Sequence, residues 1–189
     1  MKIGYSFCGS YCTHQKSIEA LQELTSPSVQ IIPILSYNVS TTDTRFGSAE
    51  ELKTTLFTLT GNKPIVTVCE AEPLGPSHPL DALIISPCTG NTLAKLANGI
   101  TDTPVCMAAK AHLRADRPLL IALASNDALS VNLENIGRLL VRKNVYFVPM
   151  FQDDPLGKPH SLVADFKQLS SSFELMMKSK QKRPLFISR

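Results

Sequence analysis

Three short polar stretches carry residue types suited to holding an anionic ligand. Cys8-Gly9-Ser10 is a small-residue turn that opens a helix, and the exposed backbone N–H groups and dipole of a helix start favour a phosphate. Its spacing matches neither the dinucleotide glycine fingerprint nor the lysine-bearing phosphate loop. A tight turn that needs Gly9 for its backbone angles accounts for it equally. Ser36 opens a run of hydroxyls through Tyr37, Ser40, Thr41, Thr42 and Thr44, all able to hydrogen-bond a phosphate. Ser48, with Glu51 three residues on, has the form of a capping box for the next helix, which leaves Ser36 for a ligand. The third stretch is Ser86-Pro87-Cys88-Thr89-Gly90-Asn91-Thr92, where an apolar run feeds a polar, glycine-containing turn at a helix start. Backbone and side-chain donors converge there on a ligand, or Asn91 and Thr92 simply cap the helix.

The residues between these stretches supply the frame. Apolar β-rich runs alternate with segments of helical period, the pattern of βαβ units whose parallel sheet is covered on both faces. Strands are expected at 2–7, 29–35, 64–68, 81–86, 119–123 and 145–148, with Pro87 ending the fourth. Helices are expected from Ile18 to Leu24, over 48–59, 91–98, 105–114, about 129–140, and finally 162–177. Proline-bearing stretches at 70–79 and 149–159 read as loops. The fold class is therefore α/β: a doubly wound, Rossmann- or flavodoxin-like parallel sheet in three α/β/α layers. Residues 1–177 make one domain and 178–189 a basic tail. Ligands of such sheets bind at the carboxyl ends of the strands, where all three stretches fall.

Composition narrows the function classes. The 189 residues are 43% hydrophobic and 19% charged, with 19 Lys+Arg against 16 Asp+Glu for a net charge of +3, enough for one full core. Charge this mild makes no electrostatic case for nucleic acid, and 6% aromatics without Trp leave little for base stacking. No run approaches the roughly 18 apolar residues of a membrane span and the amino terminus lacks an export pattern, so a cytoplasmic chain is expected. Five cysteines, an odd number, argue against a disulfide framework. Neither Cys8 and Cys12 nor the scattered His14, His78, His112 and His160 have metal-ligand spacing. Cys69, Cys88 and Cys106 read as small fillers, His112 and His160 as surface residues, and Lys178 to Arg183 as a solvated end.

The segment Pro87 to Thr92, with Ala97-Asn98-Gly99 and Asp102 behind it, resembles the signature of the homo-oligomeric FMN-containing cysteine decarboxylases and the related flavin prenyltransferases. Cys8-Gly9-Ser10 is similar to their Thr-Gly-Ser phosphate turn, with Cys8 at the Thr position. Arg117 to Asn126 is similar to their later strand and Asn-bearing loop, and Leu133-Glu134-Asn135 to a Leu-Glu-Asn of the prenyltransferases. The similarity runs from Lys2 to about Met177. Within the family, Thr44 to Gly47, Ala71 to Pro76, Thr101-Asp102 with Met107 to Lys110, Asn126 to Leu129 and Gln152 to Pro155 look like the dipicolinate synthase B subunits. The resemblance implies bound FMN, its phosphate on Gly9, Ser10 and Ser36. Pro87, Thr89, Gly90, Asn91, Thr92, Ser125 and Asn126 would hold the rest. It further implies oxidation of dihydrodipicolinate to pyridine-2,6-dicarboxylate in the mother cell of a spore-forming bacterium, beside an A subunit that carries NAD(P). A homo-oligomer is implied too, of trimers built toward a dodecamer.

The departures from that family are informative. Its decarboxylases place a His shortly before the strand that begins at Asp81, where this chain has Ala71-Glu72-Pro73, and His78 lies too close to that strand. Its prenyltransferases carry an Arg after Leu123, where this chain has Ala124-Ser125-Asn126. Met107 and Lys110 stand where members commonly have an Arg and an Asp, and an added cation suits a dicarboxylate. Lys110 and Arg45 are thus candidate substrate residues and Lys110 and Asn126 candidate catalytic ones, with Glu72 or Asp127 nearby. Lys110 as a solvated helix residue and Arg45 as a surface partner of Asp43 account for them equally. Three functions stay open: flavin-dependent oxidation with the A subunit, a binding or regulatory subunit that leaves redox chemistry to the A subunit, and an FMN-dependent decarboxylase or prenyltransferase.

Overall fold

In the computed structural model, which describes residues 1–75 and 77–188, the first strand β1 (Lys2–Phe7) lies inside the sheet. It pairs in parallel with β2 (Gln30–Leu35) on one side and β3 (Ala82–Cys88) on the other. Next come β4 (Leu119–Ser125) and, against its start, β5 (Val145–Phe147), both parallel. Two short strands, β6 (Met150–Phe151) and β7 (Leu162–Ala164), form an antiparallel hairpin that joins the end of β4 through Ala124↔Val163 and Ser125↔Leu162. Among the described residues seven strands make one sheet, in the order β2-β1-β3-β4-β7-β6 with β5 beside β4.

Helices cover both faces because the inner strands are apolar on both. A 3-10 turn (Tyr11–Thr13) leads into α1 (His14–Leu24), followed by α2 (Tyr37–Thr41), α3 (Ala49–Thr60) and α4 (Val68–Ala71), which continues into a 3-10 turn (Glu72–Leu74). Then come α5 (Gly90–Asn98), α6 (Pro104–Leu113), α7 (Val131–Leu140) and α8 (Leu169–Met176). On one face Leu21 of α1, Leu56 of α3 and Phe173 of α8 pack with Tyr5, Phe7 and Ile84. On the other, Leu93 of α5, Val105 of α6 and Ile136 of α7 pack with Leu83, Ile85 and Ile121. Alternate residues of β3 thus feed opposite layers, as the pleat requires. This is the three-layer, flavodoxin-like α/β arrangement read from the sequence.

Several elements differ from that reading. The strand expected at 64–68 is absent: Ile65 makes an isolated bridge with Ile34, and Thr67 then caps α4. The Thr67 hydroxyl accepts the Glu70 N–H while the Glu70 carboxylate takes the N–H groups of Val66 and Thr67, so the extended run is closed by a helix start. The loop expected at 70–79 accordingly contains the end of α4 and a 3-10 turn; Pro76 lies outside the described residues. Pro87 does not end β3, which continues to Cys88. The register to β4 shifts between Ile85 and Cys88, and the Pro87 carbonyl accepts the Cys8 N–H at 3.1 Å, so the missing proline donor falls at an irregularity in the ladder.

At the carboxyl end, β6 interrupts the expected loop. The expected helix over 162–177 begins as β7, because Val163 pairs with both Ala124 and Phe151. The basic stretch keeps Lys178, Lys180 and Arg183 exposed, but the segment is held at two points: Gln181 bonds the backbone of Phe147 in both directions, and Leu185 beyond it is buried. His112 is fully buried, against the expectation of a surface residue, and Cys69 is exposed. Among the described residues no helix is long and apolar enough to cross a membrane, and no group of His, Cys, Asp and Glu stands where a metal ion could be held.

Candidate functional site

The carboxyl ends of β1, β3 and β4 open into a cleft of about 820 Å³, at the point where strand order reverses around β1. That volume lies within the roughly 300–1,000 Å³ of small-molecule sites. Gly9 and Ser10 border it from the end of β1, Thr89 and Gly90 from β3, and Ser125 and Asn126 from β4. Arg45 reaches it from the connection between α2 and α3.

The Gly9 turn is wound tightly from behind. The Ser10 N–H donates to the Cys8 carbonyl at 2.8 Å, and the Thr13 hydroxyl to the Ser10 carbonyl at 2.8 Å. The His14 Nε2–H donates to the same Cys8 carbonyl at 2.8 Å; burial lowers the imidazole pKa against the pull of that bond, which keeps His14 neutral. The atoms nearest to a Cβ at Gly9 would be those of the Tyr11 ring, at 3.5 Å, an ordinary van der Waals contact. Cys8 is a packing group: burial pushes its thiol pKa up to about 12, and its sulfur accepts the Thr92 hydroxyl at 3.3 Å.

At the start of α5, Thr89 caps the helix by accepting the Thr92 N–H at 3.3 Å. Gly90 is required by what stands over it. A Cβ there would lie 2.6 Å from Asn132 Nδ2 and from Asp127 Oδ1, and would collide with Ser125 Oγ. Arg45 does not pair with Asp43, whose carboxylate accepts the Ala49 N–H at 2.9 Å; its guanidinium lies 4.9 Å from the centre of the Phe46 ring.

Other residues singled out in the sequence stand apart from the cleft lining. Ser36 is the half-buried N-cap residue of α2, its side chain making no capping bond. Pro87 and Thr92 are buried behind the cleft, and Asn91 is exposed on α5. Lys110 is exposed in the last turn of α6, the helix that precedes β4, and does not line the cleft. Glu72 sits in the 3-10 turn that packs on α6.

Sequence reasoning missed much of the cleft's far wall. Tyr11, Phe46 and Phe151 bring three aromatic side chains, and Lys16 brings a cation from the first turn of α1. Lys16 was legible from its position just behind the Gly9 turn. Phe151 was not, because it arrives on the β6–β7 hairpin. The same hairpin carries Asp153, which pairs with Lys158 at 3.2 Å and accepts the Ser161 hydroxyl at 3.1 Å. Partial burial would raise the Asp153 pKa, but those hydrogen bonds and the Lys158 charge hold it below the usual carboxylate value.

The flavoprotein family profile matches residues 2–168. The chain belongs to the flavoprotein family. The dipicolinate synthase B subunit of Bacillus subtilis (strain 168) is 41% identical over 186 residues, spanning 98% of this chain and 93% of that protein. The crystal structure of the dipicolinate synthase B subunit from Bacillus halodurans superposes with a TM-score of 0.90 at 38% identity, over 100% of this chain and 96% of that one. Burkholderia xenovorans DmrB in complex with FMN shares the fold at a TM-score of 0.70 and 17% identity, over 94% of this chain and 96% of that one.

This member of the flavoprotein family is thus a homologue of dipicolinate synthase B subunits, and its cleft has the parts a flavin mononucleotide needs. Lys16 and Arg45 make no ion pair among the described residues and remain available to a phosphate or carboxylate. The open backbone at Gly9, the aromatic rings and the polar edge at Ser125 and Asn126 suit the phosphate, ring and hydrogen-bonding rim in turn.

Proposed function

We propose that this protein binds FMN in the cleft and, in the cytosol of a spore-forming cell, works with an NAD(P)-binding partner subunit to oxidise dihydrodipicolinate to dipicolinate. The observation that carries the reading is the cleft: a glycine turn, two cations without ion pairs among the described residues and a polar loop, all at the carboxyl ends of the strands, in a chain 41% identical to a dipicolinate synthase B subunit. Gly9 leaves its backbone accessible to phosphate, Ser10 adds a hydroxyl, Ser36, outside the cleft lining but held beside the end of β1 by its N–H bond to the Phe7 carbonyl, adds a second, and Lys16 adds charge. Thr89 and Gly90 shape one wall, backed by the buried Pro87 and Thr92 with Asn91 exposed on α5, and Ser125 and Asn126 shape the other, with Asn126 toward the reacting edge. A bound flavin supplies a two-electron acceptor. Arg45 holds a substrate carboxylate; Lys110, exposed on α6 outside the cleft lining, is the second candidate cation for the dicarboxylate.

The test is the visible spectrum of the purified protein and its titration with FMN. Yellow protein, or saturable FMN binding by calorimetry, is expected; a colourless protein that binds none sinks the reading. With the partner subunit, NAD(P) and dihydrodipicolinate, dipicolinate is expected only when both subunits are present. We further propose a homo-oligomer of trimers reaching a dodecamer; a neighbour of the same fold, the FMN-dependent UbiX-like decarboxylase of Escherichia coli O157:H7, is itself dodecameric. Light scattering checks this, and a monomer at micromolar concentration contradicts it.

One observation favours a second reading, a binding subunit without redox chemistry of its own: among the described residues, no imidazole borders the cleft. Bound FMN that stays oxidised on anaerobic mixing with substrate and partner, while dipicolinate forms, would favour this reading over the first.

A further inference from the structure

A chain of hydrogen bonds of fixed direction runs from the α5–α7 surface to the floor of the cleft. At its outer end the Arg138 guanidinium, which only donates, bonds Asn98 Oδ1 at 2.8 Å. Asn98 therefore turns Nδ2 toward the Ala94 carbonyl at 2.8 Å and Asn135 Oδ1 at 3.4 Å. Asn135 Nδ2 donates to Asn132 Oδ1 at 2.9 Å, which leaves the buried Asn132 to donate through Nδ2 to Asp127 Oδ2 at 2.9 Å. At the inner end a carboxylate only accepts, so the Ser125 hydroxyl gives its one proton to Asp127 Oδ1. With a pure donor at one end and a pure acceptor at the other, turning over any amide between them would set acceptor against acceptor. Ser125 Oγ is left with lone pairs, and no proton, for the cleft it borders. Gly90, packed against Ser125, Asp127 and Asn132, leaves the group no room to rearrange.

We propose that Asp127 is a positioning residue: held by Asn132, it presents Ser125 to the cleft as a hydrogen-bond acceptor only, and so selects a ligand edge that carries an N–H donor. In a flavin that edge is the ring imide, N3–H; this step rests on the flavin reading above. A ring of the same shape with an acceptor or an alkyl group at that position sets nothing against Ser125 to satisfy it.

FMN and N3-methyl-FMN are titrated into the full-length wild type, Asp127→Asn and Ser125→Ala, and the two Kd values are compared for each. Wild type is expected to prefer FMN by roughly tenfold, the scale of one neutral hydrogen bond left unmade. In Asp127→Asn the new amide turns its Nδ2 to Ser125, the hydroxyl proton swings to the cleft, and the preference is expected to fall to within about twofold, as it is in Ser125→Ala. A preference that persists in the variants is steric exclusion of the methyl group and overturns the proposal. Equal binding of the two ligands by wild type overturns it too. Ser125→Ala removes only a half-buried hydroxyl and keeps the Asp127–Asn132 bond, so it decides the matter should Asp127→Asn not fold. Failure of wild type to bind FMN overturns the flavin reading and this step together, whereas FMN binding with an unaltered ratio overturns this step alone.

Discussion

Gly90 and His112 are both fixed by their surroundings, with opposite degrees of visibility in the sequence. Gly90 stood out because a glycine between a buried strand and a helix start has few other reasons to be there. Its cause lies in residues more than thirty positions away, Ser125, Asp127 and Asn132, which no local pattern connects to it. Gly90→Ala is expected to destabilise the fold by about 1–3 kcal/mol, the usual range for overpacking, and to lower FMN affinity by displacing Ser125. Chemical denaturation and an FMN titration check the two effects. His112 gave no signal at all. Its Nε2–H donates to the Pro118 carbonyl at 2.8 Å and its buried Nδ1 has no partner among the described residues. Burial, with the Arg117 charge adding, pushes its pKa from 6.5 down to about 4. Because the folded-state value lies below the unfolded one, the unfolded chain takes up the proton first as pH falls. Stability attributable to His112 is therefore complete above about pH 6.5 and drains away toward pH 4, roughly 3 kcal/mol in all. His112→Gln should flatten that part of the profile in urea denaturation between pH 7 and pH 4.5; an unchanged slope would place the effect elsewhere.

Elements were legible where one local signal decided them and misread where two competed. Ser48 with Glu51 and Thr67 with Glu70 are the same capping pattern, and both form complete capping boxes. The first was recognised because a helical period follows it. The second was hidden by the apolar Pro64 to Val68 run, which reads as a strand until the Glu70 carboxylate takes the N–H groups of Val66 and Thr67. The β6–β7 hairpin was unreadable for a different reason. Its strands are very short, and they exist because Ala124 and Ser125 offer an unpaired edge beyond the end of β5. That edge is a product of tertiary structure, so the cleft residues the hairpin carries, Phe151, Asp153 and Lys158, could not be placed from sequence. The glycine turn and the start of α5 could be, since each lies directly after a strand. Thr67→Ala is expected to lose about 1 kcal/mol of stability, the usual worth of an N-cap, without changing FMN affinity, because α4 packs on α6 away from the cleft. A thermal melt and a flavin titration on the same sample separate the two.

For the whole molecule, an open sheet must have its edges covered, and here the chain's own carboxyl end covers one of them. The Met150 N–H donates to the Leu185 carbonyl at 2.8 Å and the Ile187 N–H to the Met150 carbonyl at 3.0 Å, so this segment continues the sheet beyond β6. Gln181 serves β5 in the same way: its Nε2 donates to the Phe147 carbonyl at 2.7 Å and its Oε1 accepts the Phe147 N–H at 2.9 Å. Unpaired strand edges invite association with other chains, and removing these partners would expose two at once. The consequence reaches the cleft, because Phe151 directly follows the residue that the segment clasps. Truncation after Met177 is expected to lower Tm by about 5–10 °C, the effect of losing a few kcal/mol in a chain of this size, and to promote aggregation on warming. FMN affinity should fall with it as the β6–β7 hairpin loosens. Gln181→Ala isolates one part of this, leaving the Phe147 backbone groups without their partner for a loss of about 1–2 kcal/mol, while the Leu185 contact still holds β6 and FMN binding stays near wild type. Differential scanning calorimetry with light scattering on both variants decides between a structural clasp and a solvated basic end: the clasp requires the graded loss, and unchanged melting in the truncated chain would exclude it.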